Sequence, residues 1–201
     1  QRRHDFARRF AAMTLGGPMK VLSRIALVLL VATGCYLPSD FEADFNIDPK
    51  GGFAFRYKGD ITSIPLLSKI GRGKLSGDEL TKNIAIYKRD LARDRSFKSV
   101  EYIENARYKV HYEYQSNIHD SKSFTFIRSN AIFVRLKKRK DGFTELVGNR
   151  PPKRYVDELI EKGFDTKGVL RIWTDAKVLK HNAATVKKGP KTLYTWPINS
   201  M

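Results

Sequence analysis

The chain has 201 residues, with 38 Lys and Arg against 21 Asp and Glu and a formal net charge of +17 at pH 7. Hydrophobic residues make up 41% and aromatics 11%, enough for one packed domain, which excludes a wholly disordered polymer. A single cysteine excludes an intrachain disulfide framework and any multi-cysteine zinc site.

Residues 1–18 are basic and irregular, with Arg2, Arg3, Arg8 and Arg9 around Phe6 and Phe10, and read as an extension upstream of the true start. Met19 opens a sharper pattern. Lys20 and Arg24 form a charged flank, residues 25–32 are an unbroken apolar run, and Thr33-Gly34-Cys35 follows. That is the layout of a signal peptide over residues 19–34. A helix crossing the hydrocarbon core needs roughly 17 to 25 apolar residues, and this run falls well short.

Ala32-Thr33-Gly34 sets small residues directly before the only cysteine of the chain. This resembles the lipobox of bacterial lipoproteins. The resemblance implies a diacylglycerol on the Cys35 thiol, cleavage before Cys35 and acylation of the new amino terminus, so that fatty acyl chains such as palmitate hold the protein to a membrane. The other reading is a cleavage site for the ordinary signal peptidase, with Cys35 an incidental thiol. Tyr36 rather than Asp follows the cysteine, which in the Gram-negative sorting pattern implies the outer membrane, facing the periplasm. Residues 1–34 carry a net +5, leaving +12 of the +17 on the part from Cys35 onward.

Residues 35–40 are expected as a lipidated tether and 41–201 as a single domain. Phe41, Ala43, Phe45 and Ile47 alternate with Glu42, Asp44, Asn46 and Asp48, the pattern of a half-buried strand. Residues 49–52 read as a turn, and Phe53, Phe55 and Tyr57 alternate in a second strand. If both apolar sets share a face, Ile47 lies opposite Phe53, Asp44 opposite Arg56 and Glu42 opposite Lys58. The outer face then becomes a ladder of opposite charges.

A basic loop, Gly71-Arg72-Gly73-Lys74, precedes Ser76 and Glu79, which have the spacing of a capping box. Leu80, Ile84, Tyr87 and Leu91 predict an amphipathic helix from about Asp78 to Arg93. Strands return from Phe97 to Val147, with Asp141-Gly142 at a hairpin tip. Pro151-Pro152 opens a second helix that Gly163 terminates. Strands at Val169–Thr174 and Lys191–Trp196 close the chain, with Lys177–Val186 extended between them. The plan is α+β: an antiparallel sheet with about two helices packed on one face.

The stretch Phe45-Asn46-Ile47-Asp48-Pro49-Lys50-Gly51-Gly52 straight after a lipobox resembles the opening hairpin of the LppM-type bacterial lipoprotein domain. Ala176-Lys177-Val178-Leu179-Lys180-His181-Asn182 and Thr192-Leu193-Tyr194-Thr195-Trp196 are similar to its closing strands, with Asp175-Ala176 where that family has a proline-glycine pair. The resemblance covers the two ends of the domain. It implies an α/β envelope lipoprotein that binds a lipid or glycolipid, with no established catalysis.

Catalytic signatures are missing or degraded. Gly71-Arg72-Gly73-Lys74-Leu75-Ser76-Gly77 lacks the spacing of a phosphate loop. His111, His119 and His181 lack the spacing of helical metal ligands, and His111 reads as a half-exposed sheet position. No nucleophile elbow occurs. Asp78 with Glu79, and Asp157 with Glu158, sit at helix starts, where a carboxylate complements the helix dipole.

The remaining signal is positive charge. Arg135, Lys137, Lys138, Arg139 and Lys140 form one run, Lys187, Lys188 and Lys191 a second cluster, and Arg150, Lys153 and Arg154 a third. These are the candidate anion-binding residues, weighed against solvated loop lysines that aid solubility. Export points away from nucleic acid and towards lipid headgroups or acidic glycans. The expectation is a non-catalytic envelope lipoprotein, needing no cofactor or metal, that holds an anionic lipid, glycolipid or glycan in an apolar groove between helix and sheet. The alternatives are an accessory subunit docking an envelope protein partner and, least favoured, a hydrolase.

Overall fold

The computed structural model describes residues 36–128, 131–148, 160–161 and 163–199. The signal peptide, Ala32-Thr33-Gly34-Cys35, most of the helix expected after Pro151-Pro152, and Arg150, Lys153 and Arg154 lie outside the described residues. Strands β1 (Tyr36–Ile47) and β2 (Gly52–Ser63) form the expected hairpin. Its register is the one a shared apolar face requires: Ile47 opposite Phe53, Asp44 opposite Arg56 and Glu42 opposite Lys58. The turn is tied by Asp48, whose Oδ1 accepts from the amides of Lys50 (2.7 Å) and Gly52 (3.1 Å), and Gly51 takes the left-handed conformation at φ +82°.

β1 starts earlier than expected. Tyr36 to Ser39, read from sequence as a tether, already pair with residues 60–63 of β2, and Tyr36 and Leu37 are buried. A bulge between Ser39 and Glu42, with Asp40 at φ +46°, separates this stretch from the regular alternation, so its periodicity does not join the rest.

After β2 come α1 (Ile64–Gly71), which the sequence reading did not anticipate, and α2 (Gly77–Ala92), close to the predicted bounds. Ser63 caps α1, its hydroxyl accepting from the Leu66 amide at 3.5 Å. At α2 the expected capping box is not formed: Ser76 occupies the N-cap position, but its side chain makes no capping hydrogen bond. Then follow β3 (Phe97–Tyr102), β4 (Arg107–Asn117), the single turn α3 (Ile118–Ser121), β5 (Ser123–Arg128), β6 (Ala131–Lys138), β7 (Thr144–Gly148), β8 (Gly168–Thr174), β9 (Thr185–Lys187) and β10 (Thr192–Ile198). Ile160 and Glu161 are helical and Gly163 is left-handed at φ +80°.

The protein is mixed α and β, mainly sheet. Its larger sheet has seven strands in the order β3-β4-β2-β1-β8-β10-β9, and its smaller one runs β5-β6-β7. The expected antiparallel arrangement holds only in part, because β8 joins β1 in parallel, Ala43 beside Leu170 and Ile47 beside Thr174. One face of the large sheet is aromatic and carries the core. Phe124 and Phe126 of the small sheet pack against Phe55 and Tyr112 at ring distances of 4.9–6.5 Å, and Phe133 meets Phe41 edge-on at 4.8 Å. Helix α2 covers the same face: Leu91 is fully buried, and the buried Tyr108 hydroxyl donates to the Ile84 carbonyl at 3.1 Å. The other face of the large sheet is polar.

Candidate functional site

The polar face is built by strand parity. Residues that alternate with the buried aromatics must point outward, and register lines them up across strands. One row reads Glu113, Arg56, Asp44, Arg171 across β4, β2, β1 and β8, with charges alternating in sign. Asp44 is its centre. It accepts from Arg56 at 2.7 Å and from Arg171 Nε at 2.6 Å, and Arg171 also bonds Glu42. Burial works against the Arg171 charge, and the hydrogen bonds it donates to the Asp44 and Glu42 carboxylates outweigh it, so its pKa stands above the ordinary arginine value. This is the charge ladder expected of the hairpin, extended by one strand on each side.

The next row reads Gln115, Ala54, Asn46, Trp173, Leu193, Lys187. Ala54 is short and stands among longer neighbours. The floor therefore drops there into an open trough of about 710 Å³ lined by Asn46, Ala54, Arg56, Gln115, Arg171 and Trp173, among others. A second depression of about 510 Å³ shares Asn46, Ala54 and Gln115 and reaches Lys191, whose ammonium donates to Asn46 Oδ1 at 2.5 Å. Trp173 is 40% exposed, a large aromatic left facing solvent beside the amide of Asn46. The groove expected between helix and sheet is not where these depressions lie: the inner face is filled by Phe and Tyr side chains, and both open on the opposite face.

Trp173, Asn46, Gln115 and Arg171 were not singled out from the sequence. A signal was available, since Trp173 falls in the outward set of β8 with Arg171, where an aromatic residue has no core to enter.

Topology also decides where the predicted basic residues go. The β1–β2 turn, the loop after β8 and the β9–β10 turn all lie at the end of the large sheet where β1 finishes, as the pairs Ile47–Thr174 and Leu193–Lys187 require. The small sheet brings its β6–β7 tip to the same end: Ile118 N donates to Gly51 O at 2.8 Å, and Lys138 N to Lys122 O at 2.9 Å. Two clusters about fifty residues apart in sequence thus share one end. Within the first run, Lys137 pairs with Glu145 (3.0 Å) and Arg139 with Asp141 (2.6 Å). That bond raises the Arg139 pKa and lowers that of Asp141. Arg135, Lys138 and Lys140 make no ion pair among the described residues, nor do Lys187, Lys188 and Lys191, so their charge is available to an anion.

The histidines stay apart. His111 Nε2 lies 2.9 Å from Glu113 at a partly exposed sheet position, and the His181 ring packs on Tyr194 at 4.8 Å. Among the described residues no three His, Cys, Asp or Glu side chains converge on a point that would hold a metal ion, and no helix is long and apolar enough to cross a membrane. The chain matches no protein-family model, no curated protein and no solved structure.

Proposed function

We propose that this chain is a non-catalytic lipoprotein of a bacterial cell envelope, of the kind the LppM-type resemblance suggests. It is held to the membrane by acylated Cys35, and its domain binds an anionic lipid headgroup, glycolipid or glycan at the basic end. The observation that carries the reading is the convergence of the β6–β7 tip and the β9–β10 turn at one end of the large sheet, with Lys138, Lys140, Lys187 and Lys188 free of ion pairs with described residues. The outer-face trough supports it. The depression that shares its floor reaches Lys191 at that end, and the trough offers Trp173 as a stacking surface with the amide of Asn46 beside it and that of Gln115 on its far side. A flat aromatic face with an amide beside it suits a sugar ring or a polyol headgroup, and the lysines suit its phosphate or carboxylate.

The test is calorimetric titration with phosphorylated and uronic-acid oligosaccharides at several salt concentrations. Lys187→Gln/Lys188→Gln and Lys138→Gln/Lys140→Gln are each expected to weaken binding by about thirtyfold, at roughly 1 kcal/mol for each of the two charges near an anionic surface. Trp173→Ala is expected to weaken glycan more than inorganic phosphate. Equal affinity in all variants would overturn the reading.

A further inference from the structure

The loop between β8 and β9 has a feature that anion binding leaves unexplained. Val178 and Leu179 are adjacent, 39% and 61% exposed, and stand between Lys177 and Lys180. Two consecutive large aliphatic side chains in water are unfavourable unless something covers them.

The loop is fastened at both ends rather than loose. At its start the Thr174 hydroxyl donates to Ile47 O at 2.7 Å and accepts from Ala176 N at 3.0 Å. At its return the His181 ring packs on Tyr194, Asn182 Oδ1 accepts from Trp196 Nε1 at 3.0 Å, and Ala184 N donates to Thr195 O at 3.0 Å. Between those fastenings Lys177 to Lys180 are all exposed, so the four-residue tip is presented outward by a fixed frame.

We propose that this tip is a membrane-contact loop: Val178 and Leu179 enter the interfacial layer of an anionic bilayer while the flanking lysines meet its phosphates. Charge selects this occupant. From Asp175 to Lys191 the chain carries five lysines and a single carboxylate, Asp175 itself, and the loop leaves β8 at Thr174, at the same end of the sheet as the β9–β10 turn, where Lys187, Lys188 and Lys191 cluster. An acyl region accepts the two aliphatic side chains, and lysines extend their stems alongside and keep the ammonium groups at headgroup level. A nucleic acid would satisfy the lysines and leave Val178 and Leu179 in water.

The proposal rests on the reading of this end as an anion surface and adds insertion of the loop. It is tested on the full chain with Leu179→Trp, an exposed position where the substitution leaves the core untouched. The variant and the wild type, which supplies the background of Trp173 and Trp196, are titrated with vesicles of phosphatidylcholine alone, of phosphatidylcholine with phosphatidylglycerol, and of the same mixture carrying brominated acyl chains. Insertion is expected to give a blue shift and bromine quenching beyond the wild type on anionic vesicles only. Val178→Ser/Leu179→Ser is expected to lower partitioning about tenfold, and Lys177→Gln/Lys180→Gln to make what remains less sensitive to salt. Vesicle binding with no change at residue 179 overturns insertion and leaves the anion surface standing. Absence of binding to anionic vesicles overturns insertion and, with it, the lipid-headgroup form of that reading. An equal shift on adding duplex DNA also overturns the lipid assignment.

Discussion

Asp60 is a carboxylate whose surroundings oppose its charge. It is 7% exposed near the end of β2, and burial raises its pKa; Arg107, with Nε 3.6 Å away, only partly offsets this, and Asp40 raises it further. A carboxyl whose folded pKa is above its unfolded value holds its proton more tightly in the folded state. Its stabilising contribution is therefore full below the unfolded value, about 4, and is lost as pH rises through the folded one. Asp60→Asn is expected to raise Tm at pH 7, with the advantage over wild type closing as the pH falls to about 4. Thermal melts of the two proteins across that range check it, and an advantage that grows on acidification would contradict the assignment. Arg107 keeps Glu104 at 3.3 Å as a partner in the variant. The same scale shows what spacing conveys. That Asp44 faces Arg56 was legible from alternation in a short hairpin, whereas the second partner of Asp44, Arg171, lies 127 residues away and no local pattern points to it.

At the scale of elements, the hairpin and α2 were legible because each follows one period over enough residues to stand out: alternation in β1 and β2, and Leu80, Ile84, Tyr87 and Leu91 in the helix. Helix α1 was not, being eight residues with Pro65 near its start, too short for a helical period to show. The parallel pairing of β1 with β8 depends on close approach. Phe41 begins that pairing opposite Gly168, and on its other side Gly59 faces the bulge; a β-carbon on either glycine would collide with Phe41 backbone atoms. Gly168→Ala is expected to cost about 1–3 kcal/mol through overpacking, seen as a lower denaturation midpoint with an unchanged slope. A midpoint equal to wild type would mean that β8 shifts away at little cost. The missing side-chain cap at Ser76 shows the opposite failure, a sequence spacing that the backbone geometry does not use.

At the scale of the whole molecule, the two proposed membrane contacts issue from opposite ends of β1. Tyr36 starts the strand and Ile47 ends it beside Thr174, so eleven intervals of at most about 3.3 Å, shortened at the bulge, put roughly 30 Å between the residue after Cys35 and the base of the loop. With Tyr36 and Leu37 buried in the fold, an acylated Cys35 has no tether to supply slack. If anchor and loop touch one bilayer, β1 lies along its surface and does not stand upright on it. The anchor is checked first, by intact mass spectrometry of protein expressed from Met19 in a bacterial host. An added diacylglycerol mass on Cys35 is expected, lost together with membrane association in Cys35→Ala. An unmodified Cys35 in a soluble full-length chain would overturn the lipoprotein reading.

What the sequence determined by itself is whatever a local period or a short spacing encodes: the hairpin and its register, α2, the hairpin tip at Asp141-Gly142, and the basic runs as runs. The tertiary structure alone decided that β8 enters the sheet beside β1, that Ala54 and Trp173 face one trough, and that Lys138 and Lys188 belong to one surface. The physical reason is that strand order and the stacking of the small sheet arise from burying aromatic faces contributed by distant segments. That burial is set by which faces fit together, and separation along the chain carries no trace of it.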